Sequence, residues 1–255
     1  MVLSVIGAGK VAWHLSKRLH ACGLHVRQVY SRQLDKALQL ATEVNAKGIN
    51  RWEDLDATGV DLIIIAVSDQ AILEVAQQLS RQLVHPPLVV HTSGSSPLSW
   101  LSEALPRSGI FYPLQSFSWG RVPDFTTIPI CIETAHPEDQ NFLIQLGERI
   151  SHQVRLTSES DRKQLHLAAV FVNNFVNELY QIGAEILAEK RLPFELLLPL
   201  IQETAAKVQA LPPDQVQTGP ALRGDLSTIE RQLDLLEAHP DWRELYGLMT
   251  GLIRG

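Results

Sequence analysis

In the first 157 positions, short runs that are apolar almost throughout alternate with stretches whose apolar residues recur every three or four places. Residues 2–6, 60–67 and 88–91 are such runs, rich in Val and Ile, and His25 to Tyr30 reads as a second strand. Runs of this kind read as strands covered on both faces, as in a parallel sheet. Val11, Leu15 and Leu19 begin a helical pattern, and residues 34–44, 71–83 and 138–150 continue the theme. Short strands are also predicted at 46–49, 127–133 and 153–156, with another running from Gly109 into a loop where polar groups sit between aromatics. This alternation predicts an α/β domain with a doubly wound, mainly parallel sheet. From Ser158 to Gly255 only helical periodicity remains. Helices are expected over 161–189, 194–211 and 226–238, and from Pro240 to the end. The predicted organisation is a domain at 1–157 followed by an all-α domain at 158–255.

Composition narrows the function. Charged residues make up 20% of the chain and the net charge is −6. Such a balance argues against binding nucleic acid or an anionic membrane. No run reaches the ~18 apolar residues of a membrane helix. Cys22 and Cys131 are far apart and lack metal-ligand spacing, so two buried thiols in a reducing, cytoplasmic setting are expected, with no metal site. The helical domain is small and carries Trp242, Leu245, Leu248, Met249 and Leu252 on one side of its last helix. Domains of that size expose a large apolar fraction unless they find a partner, so a homodimer formed through this half is expected.

The turn after the first strand carries the chemistry. Gly7, Gly9 and Ala12 fit G-x-G-x-x-A between a strand and a helix, the fingerprint of a dinucleotide-binding Rossmann domain. Gly7 permits the tight turn, Gly9 lets a pyrophosphate approach the backbone, and Ala12 brings helix and strand close. Ala8, Lys10 and Val11 complete the turn, and the free N–H groups of the helix start suit phosphate. The second strand ends in Ser31-Arg32, where an NAD site would carry an acid. A hydroxyl and a guanidinium suit a 2′-phosphate, so NADP is favoured over NAD, which nearby Asp35 keeps open. Val67, Ser68, Thr92 and Ser93 lie at the carboxyl ends of later strands, where ligands bind in such sheets. Simple turn chemistry is the alternative for those hydroxyls.

In the long helix, His166, Asn173 and Asn177 fall in one narrow stripe at ~100° per residue, and Asn174 is displaced by about 80°. Polar residues on an otherwise apolar helix are costly to bury unless bonded, so the row either faces a substrate or forms a polar seam. His166 is the candidate proton donor, and Asn173 and Asn177 would orient a carbonyl or imine. Arg223 could hold a substrate carboxylate or phosphate, or pair with Asp225. The expected pocket lies between the domains, with Ser68, Thr92, Ser93 and Gln115 facing His166, Asn173, Asn177 and Arg223.

Taken together these residues resemble a family with a Rossmann domain like that of pyrroline-carboxylate reductases and F420-dependent NADP oxidoreductases. Its helical C-terminal domain of unknown function is similar to that of the 6-phosphogluconate and ketopantoate reductase group. The resemblance rests on Gly7-Ala8-Gly9, Ser31-Arg32, Ala66-Val67-Ser68-Asp69, His91-Thr92-Ser93-Gly94 and Pro113 to Phe117, and further on His166 with Asn173 and Asn174, Thr218-Gly219-Pro220 and Arg223-Gly224-Asp225. It implies an NADP-dependent oxidoreductase acting on a small carbonyl, imine or 2-hydroxy acid, with a deazaflavin as another conceivable partner substrate. The chain departs from the pattern at Tyr112, where a histidine is usual, and at Gln232. The lysine-asparagine pair of better-known relatives is also missing, although Lys163 lies one turn before His166. A non-catalytic NADP-binding regulatory or interaction protein is therefore the alternative.

Overall fold

Eight strands build a single sheet in the order β3-β2-β1-β4-β5-β6-β7-β8 in the computed structural model, which describes all residues, Met1–Gly255. Strands β1 (Val2–Ile6), β2 (His25–Tyr30), β3 (Lys47–Ile49), β4 (Leu62–Ile65), β5 (Leu88–His91) and β6 (Ser108–Pro113) are parallel. Helices α1 (Lys10–Ala21), α2 (Leu34–Glu43) and α3 (Asp69–Gln82) connect them as crossovers, with a single turn, α4 (Ser99–Ser102), before β6. The strand order reverses between β1 and β4, the switch point where open α/β sheets bind ligands.

β7 (Ile130–Thr134) runs antiparallel to β6, and β8 (Val154–Leu156) parallel to β7. The reversal has a local cause. No crossover helix joins β6 to β7, only a loop and a 3-10 turn at Phe125–Thr127 whose start Asp124 caps by accepting from the Thr126 N–H. That turn also delays the strand predicted from 127 until Ile130. Helix α5 (Gln140–Glu148) then returns the chain to β8.

Alternation along β4 explains its unbroken apolar run. Leu62 and Ile64 pack into the core on one face of the sheet, Ile63 and Ile65 into that on the other. Of the two thiols expected to be buried, Cys131 is, on β7. Cys22 is only half-buried, because it follows α1 near the surface, where its Sγ donates to the Arg149 carbonyl.

The chain forms two compact units, Met1–Asn173 and Asn174–Gly255. Composition changes at Ser158, but α6 (Glu159–Ala169) belongs to the first unit through its side chains. Arg162 is fully buried beside Glu133 of β7, and Leu165 packs on Ile110, Tyr112 and Cys131. Ser158 caps this helix by accepting from the Asp161 N–H at 3.1 Å. A π-helical turn, Val170–Phe175, follows directly.

The second unit comprises α7 (Val176–Glu189), α8 (Leu198–Ala210), the single turns α9 (Pro213–Val216) and α10 (Pro220–Arg223), then α11 (Leu226–Leu235) and α12 (Pro240–Arg254). The Thr218 to Asp225 motif is a chain of helix signals. Pro220 opens α10, Gly224 ends it at φ +67, and Asp225 caps α11 by accepting from the Thr228 N–H. No helix is long and apolar enough to cross a membrane.

Candidate active site

The turn between β1 and α1 opens onto a cavity of about 890 Å³. Gly7 stands at φ +120, and a Cβ there would lie 2.2 Å from the Ala66 carbonyl oxygen. Glycine is thus required twice, by conformation and by the close approach of the end of β4. A Cβ on Gly9 would meet nothing within 4 Å, so the helix start faces open space. No acid occupies the first turn of α1, and its N–H groups remain available to an anion.

Gly7, Ala8, Gly9, Lys10, Val11, Ser31, Arg32, Val67 and Ser68 all line this cavity, whereas Thr92 and Ser93 do not. Lys36, from the first turn of α2, joins Arg32 on the same wall, where the one acid is Glu74 of α3. The positive balance beyond β2 suits an anionic group. Tyr30 and Trp52 stack at 4.0 Å and form an aromatic floor. Trp119 reaches the rim from the β6–β7 loop and meets Trp13 edge-on at 5.6 Å. That loop is held by the His14 ring, whose Nε2 donates to the Ser118 carbonyl. The sequence hinted at Trp119 only through an aromatic-rich loop.

A second cluster forms where the β5 and β6 ends meet α6. The Tyr112 hydroxyl lies 3.1 Å from His166 Nδ1. Arg162 donates to the Gly94 carbonyl at 2.8 Å and to Glu133 Oε2 at 3.3 Å. A Cβ on Gly94 would sit 2.6 Å from His166 Nδ1 and from Tyr112 Cζ, so the pair rests against bare backbone. Burial pushes the Tyr112 phenol up to about 12. Burial also raises the Glu133 carboxyl, although Arg162 opposes it. Arg162, Glu133 and Tyr112 carried no expected role, because only the antiparallel β6–β7 pairing brings them to α6.

Other expected residues are placed as follows. The Ser93 hydroxyl accepts from the Ser95 and Ser96 N–H groups, and the Thr92 hydroxyl donates to the Ile65 carbonyl. The Ser93 bonds close the loop, as turn chemistry would have it, whereas the Thr92 bond ties the start of the loop to the end of β4. Ser68 precedes α3 with an exposed side chain that makes no cap bond. Exposed Gln115 bonds its neighbour, the Ser116 N–H. Lys163 pairs with Glu159 one turn back at 2.6 Å. Arg223 is exposed in the second unit, and the Asp225 carboxylate caps α11 instead of pairing with it.

Asn173 and Asn174 lie in the π-turn, and Asn177 opens α7. The 100° stripe does not carry through that turn. An i→i+5 turn takes in roughly one residue more than an α-turn, so later side chains lag by about 100°. On that count Asn174 comes into line with His166, and Asn177 falls about 80° away.

His91, beneath the loop, makes an acid-sensitive contact. It is fully buried, and Nδ1 accepts from the Ser93 N–H at 3.1 Å. Burial, then the Arg162 charge, lower its pKa to about 4, with the Pro97 carbonyl and Asp69 opposing. The unfolded chain binds this proton from about pH 6.5 downward while the folded chain does not, so stability falls as pH drops from about 6.5 to 4. The loss attributable to His91 is at most about 3 kcal/mol. His91→Asn keeps an acceptor for Ser93 and should flatten that slope in urea unfolding at pH 7, 5.5 and 4.5. Parallel pH profiles for the two proteins would refute the assignment.

The fold and the glycine turn define a protein with Rossmann dinucleotide-binding architecture. Residues 2–94 match a family described as NADP oxidoreductase, coenzyme F420-dependent, and residues 128–253 a domain of unknown function, DUF2520. A Bacteroides fragilis structure provisionally described as an NADP oxidoreductase is 38% identical, covers 99% of this chain and 97% of its own, and superposes with a TM-score of 0.93. The chain belongs to the family of that protein. More distant structures share the fold. A Coxiella burnetii pyrroline-5-carboxylate reductase is 17% identical over 99% of this chain and 95% of its own, with a TM-score of 0.61. A Plasmodium falciparum pyrroline carboxylate reductase with NADP bound is 14% identical over 100% and 98%, with a TM-score of 0.58. No curated protein matches the chain.

Proposed function

We propose that this protein is an NADP-dependent oxidoreductase acting on a small carbonyl, imine or 2-hydroxy acid substrate. One observation carries the reading: a cavity at the start of α1 is lined by Gly7, Gly9 and Lys10 and, beyond β2, by Arg32 and Lys36 with no acid at the strand end. The Bacteroides fragilis relative's description and the NADP of the Plasmodium falciparum structure point the same way. Bound there, the nicotinamide supplies or accepts hydride. The chain's own residues do the rest. The α1 N–H groups and Gly9 hold the pyrophosphate, while Ser31, Arg32 and Lys36 hold the 2′-phosphate. Val67 and Ser68 border the path toward the strand ends, and Thr92 and Ser93 shape the loop beyond β5. His166 donates to the substrate's reacting oxygen or nitrogen. Asn173, Asn174 and Asn177 are its candidate orienting amides, and Arg223 is the candidate carboxylate clamp.

NADPH oxidation against 2-oxo acids, aldehydes and cyclic imines tests the activity. A cofactor-binding protein without turnover is the second reading. It is favoured by Lys163, which pairs with Glu159 at the helix surface. Failure of every substrate class together with tight NADPH binding would select it.

Cofactor choice is tested separately. Arg32→Ala should weaken NADPH by about 1–3 kcal/mol, roughly 5- to 150-fold, and leave NADH nearly unchanged. Quenching of Trp13, Trp52 and Trp119, which line the cavity, provides the titration signal. Equal affinity of the unaltered protein for the two cofactors would sink the NADP assignment.

A further inference from the structure

We propose that Tyr112 is a positioning residue whose hydroxyl donates to His166 Nδ1 and holds the imidazole in the tautomer protonated at Nε2. The inference rests on the reading of His166 as the proton-donating group and specifies how that group is presented.

The geometry permits two arrangements across the 3.1 Å between the phenol oxygen and Nδ1. In one, the phenol donates and Nδ1 accepts. In the other, Nδ1–H donates and the phenol hydrogen must find a different acceptor. Tyr112 is only 8% exposed and packs with Ile110, Cys131, Leu98, Leu114 and Leu165. The hydrogen bond that the phenol makes is the one to His166 Nδ1, so the second arrangement would leave a buried O–H without an acceptor. Burial keeps the phenol protonated, with its pKa pushed up to about 12. The first arrangement satisfies both groups and leaves Nε2–H as the donor on a half-buried ring.

The surroundings fix this pair rather than merely tolerate it. Gly94 is the only residue type that fits, since a Cβ would lie 2.6 Å from Nδ1 and from Cζ of the tyrosine. Arg162, itself fully buried, ties the Gly94 carbonyl to α6, the helix that carries His166. Strand, loop and helix thus converge on one hydrogen bond. Its consequence for the reaction is directional: Nδ1 is occupied, so the hydrogen bond that the neutral ring offers to substrate comes from Nε2–H.

The test uses the intact protein labelled with [¹⁵N]histidine, with His166 assigned by its loss in His166→Gln. Long-range ¹H–¹⁵N correlations are recorded at about pH 8, above the ordinary imidazole range. The expected spectrum has a protonated Nε2 and a bare, hydrogen-bonded Nδ1. In Tyr112→Phe, which removes only the hydroxyl, the Nδ1 signal should move and the single tautomer become a mixture. The other histidine signals and the melting temperature should hold. A protonated Nδ1 in the unaltered protein overturns the proposal, as does a Tyr112→Phe spectrum identical to it. Full NADPH turnover by His166→Gln would instead overturn the catalytic reading of His166 and leave the tautomer result standing.

Discussion

Arg162→Ala should cost about 3–5 kcal/mol of folding stability, the range for removing one partner of a buried ion pair. For a chain of this length that is a fall of about 6–20 °C in melting temperature. The guanidinium is fully buried and serves three oxygens, those of Gly94, Ser93 and Glu133. Deleting it leaves the Gly94 carbonyl without its donor and Glu133 without its counter-charge. Glu133 already titrates above the ordinary carboxylate range because it is buried, and Arg162 is what opposes that shift. Because its pKa is raised, the stability that Glu133 contributes is lost as pH rises from the ordinary carboxylate value to the raised one, more so without Arg162. The double variant Arg162→Met with Glu133→Gln should therefore recover much of the loss, since it removes both charges together. What it cannot restore is the tie to Gly94, so the Tyr112–His166 contact should stay perturbed even where the melting temperature returns. Denaturant unfolding of the three proteins provides the comparison. A single-variant loss below about 1 kcal/mol would show that the pair contributes little to stability.

The sequence announced the sheet better than it announced the second cluster, for a physical reason. Val2 to Ile6 and Leu88 to His91 match their strands because each run is buried on both faces, leaving a local signal. Gly7, Gly9 and Ser31-Arg32 were likewise legible, because one strand–turn–helix unit and the end of its neighbouring strand build that wall. Arg162, Glu133, Tyr112 and Gly94 come from four separate segments. They meet only through the β6–β7 register, which pairs Tyr112 with Cys131 and Ile110 with Glu133. Nothing near Arg162 in the chain marks it as buried, and a lone arginine in a helix's first turn ordinarily faces water. The asparagine row failed to carry over in a different way. Helical periodicity assumes i→i+4 bonding, and the π-turn at Val170–Phe175 breaks that assumption within the very row it was used to align.

The helical half should hold two copies of the chain together, and the intact protein should run at about 57 kDa, twice 28.4 kDa. No residue of α7, α8 or α12 is buried, and the buried apolar side chains of the second unit are Ala221 and Ile229. Leu179 and Ile186 lie seven residues apart along α7, and Leu248 and Leu252 one turn apart on α12, all well exposed. A unit with so small a core cannot offset its own chain entropy, and a second copy presents the same apolar faces in self-complementary form. Thermal unfolding should therefore shift upward with protein concentration. Leu248→Glu with Leu252→Glu places two charges on that face and should yield monomers whose helical half melts first. A monomeric mass by light scattering of the unaltered protein at micromolar concentration would contradict the expectation, as would a melting temperature independent of concentration.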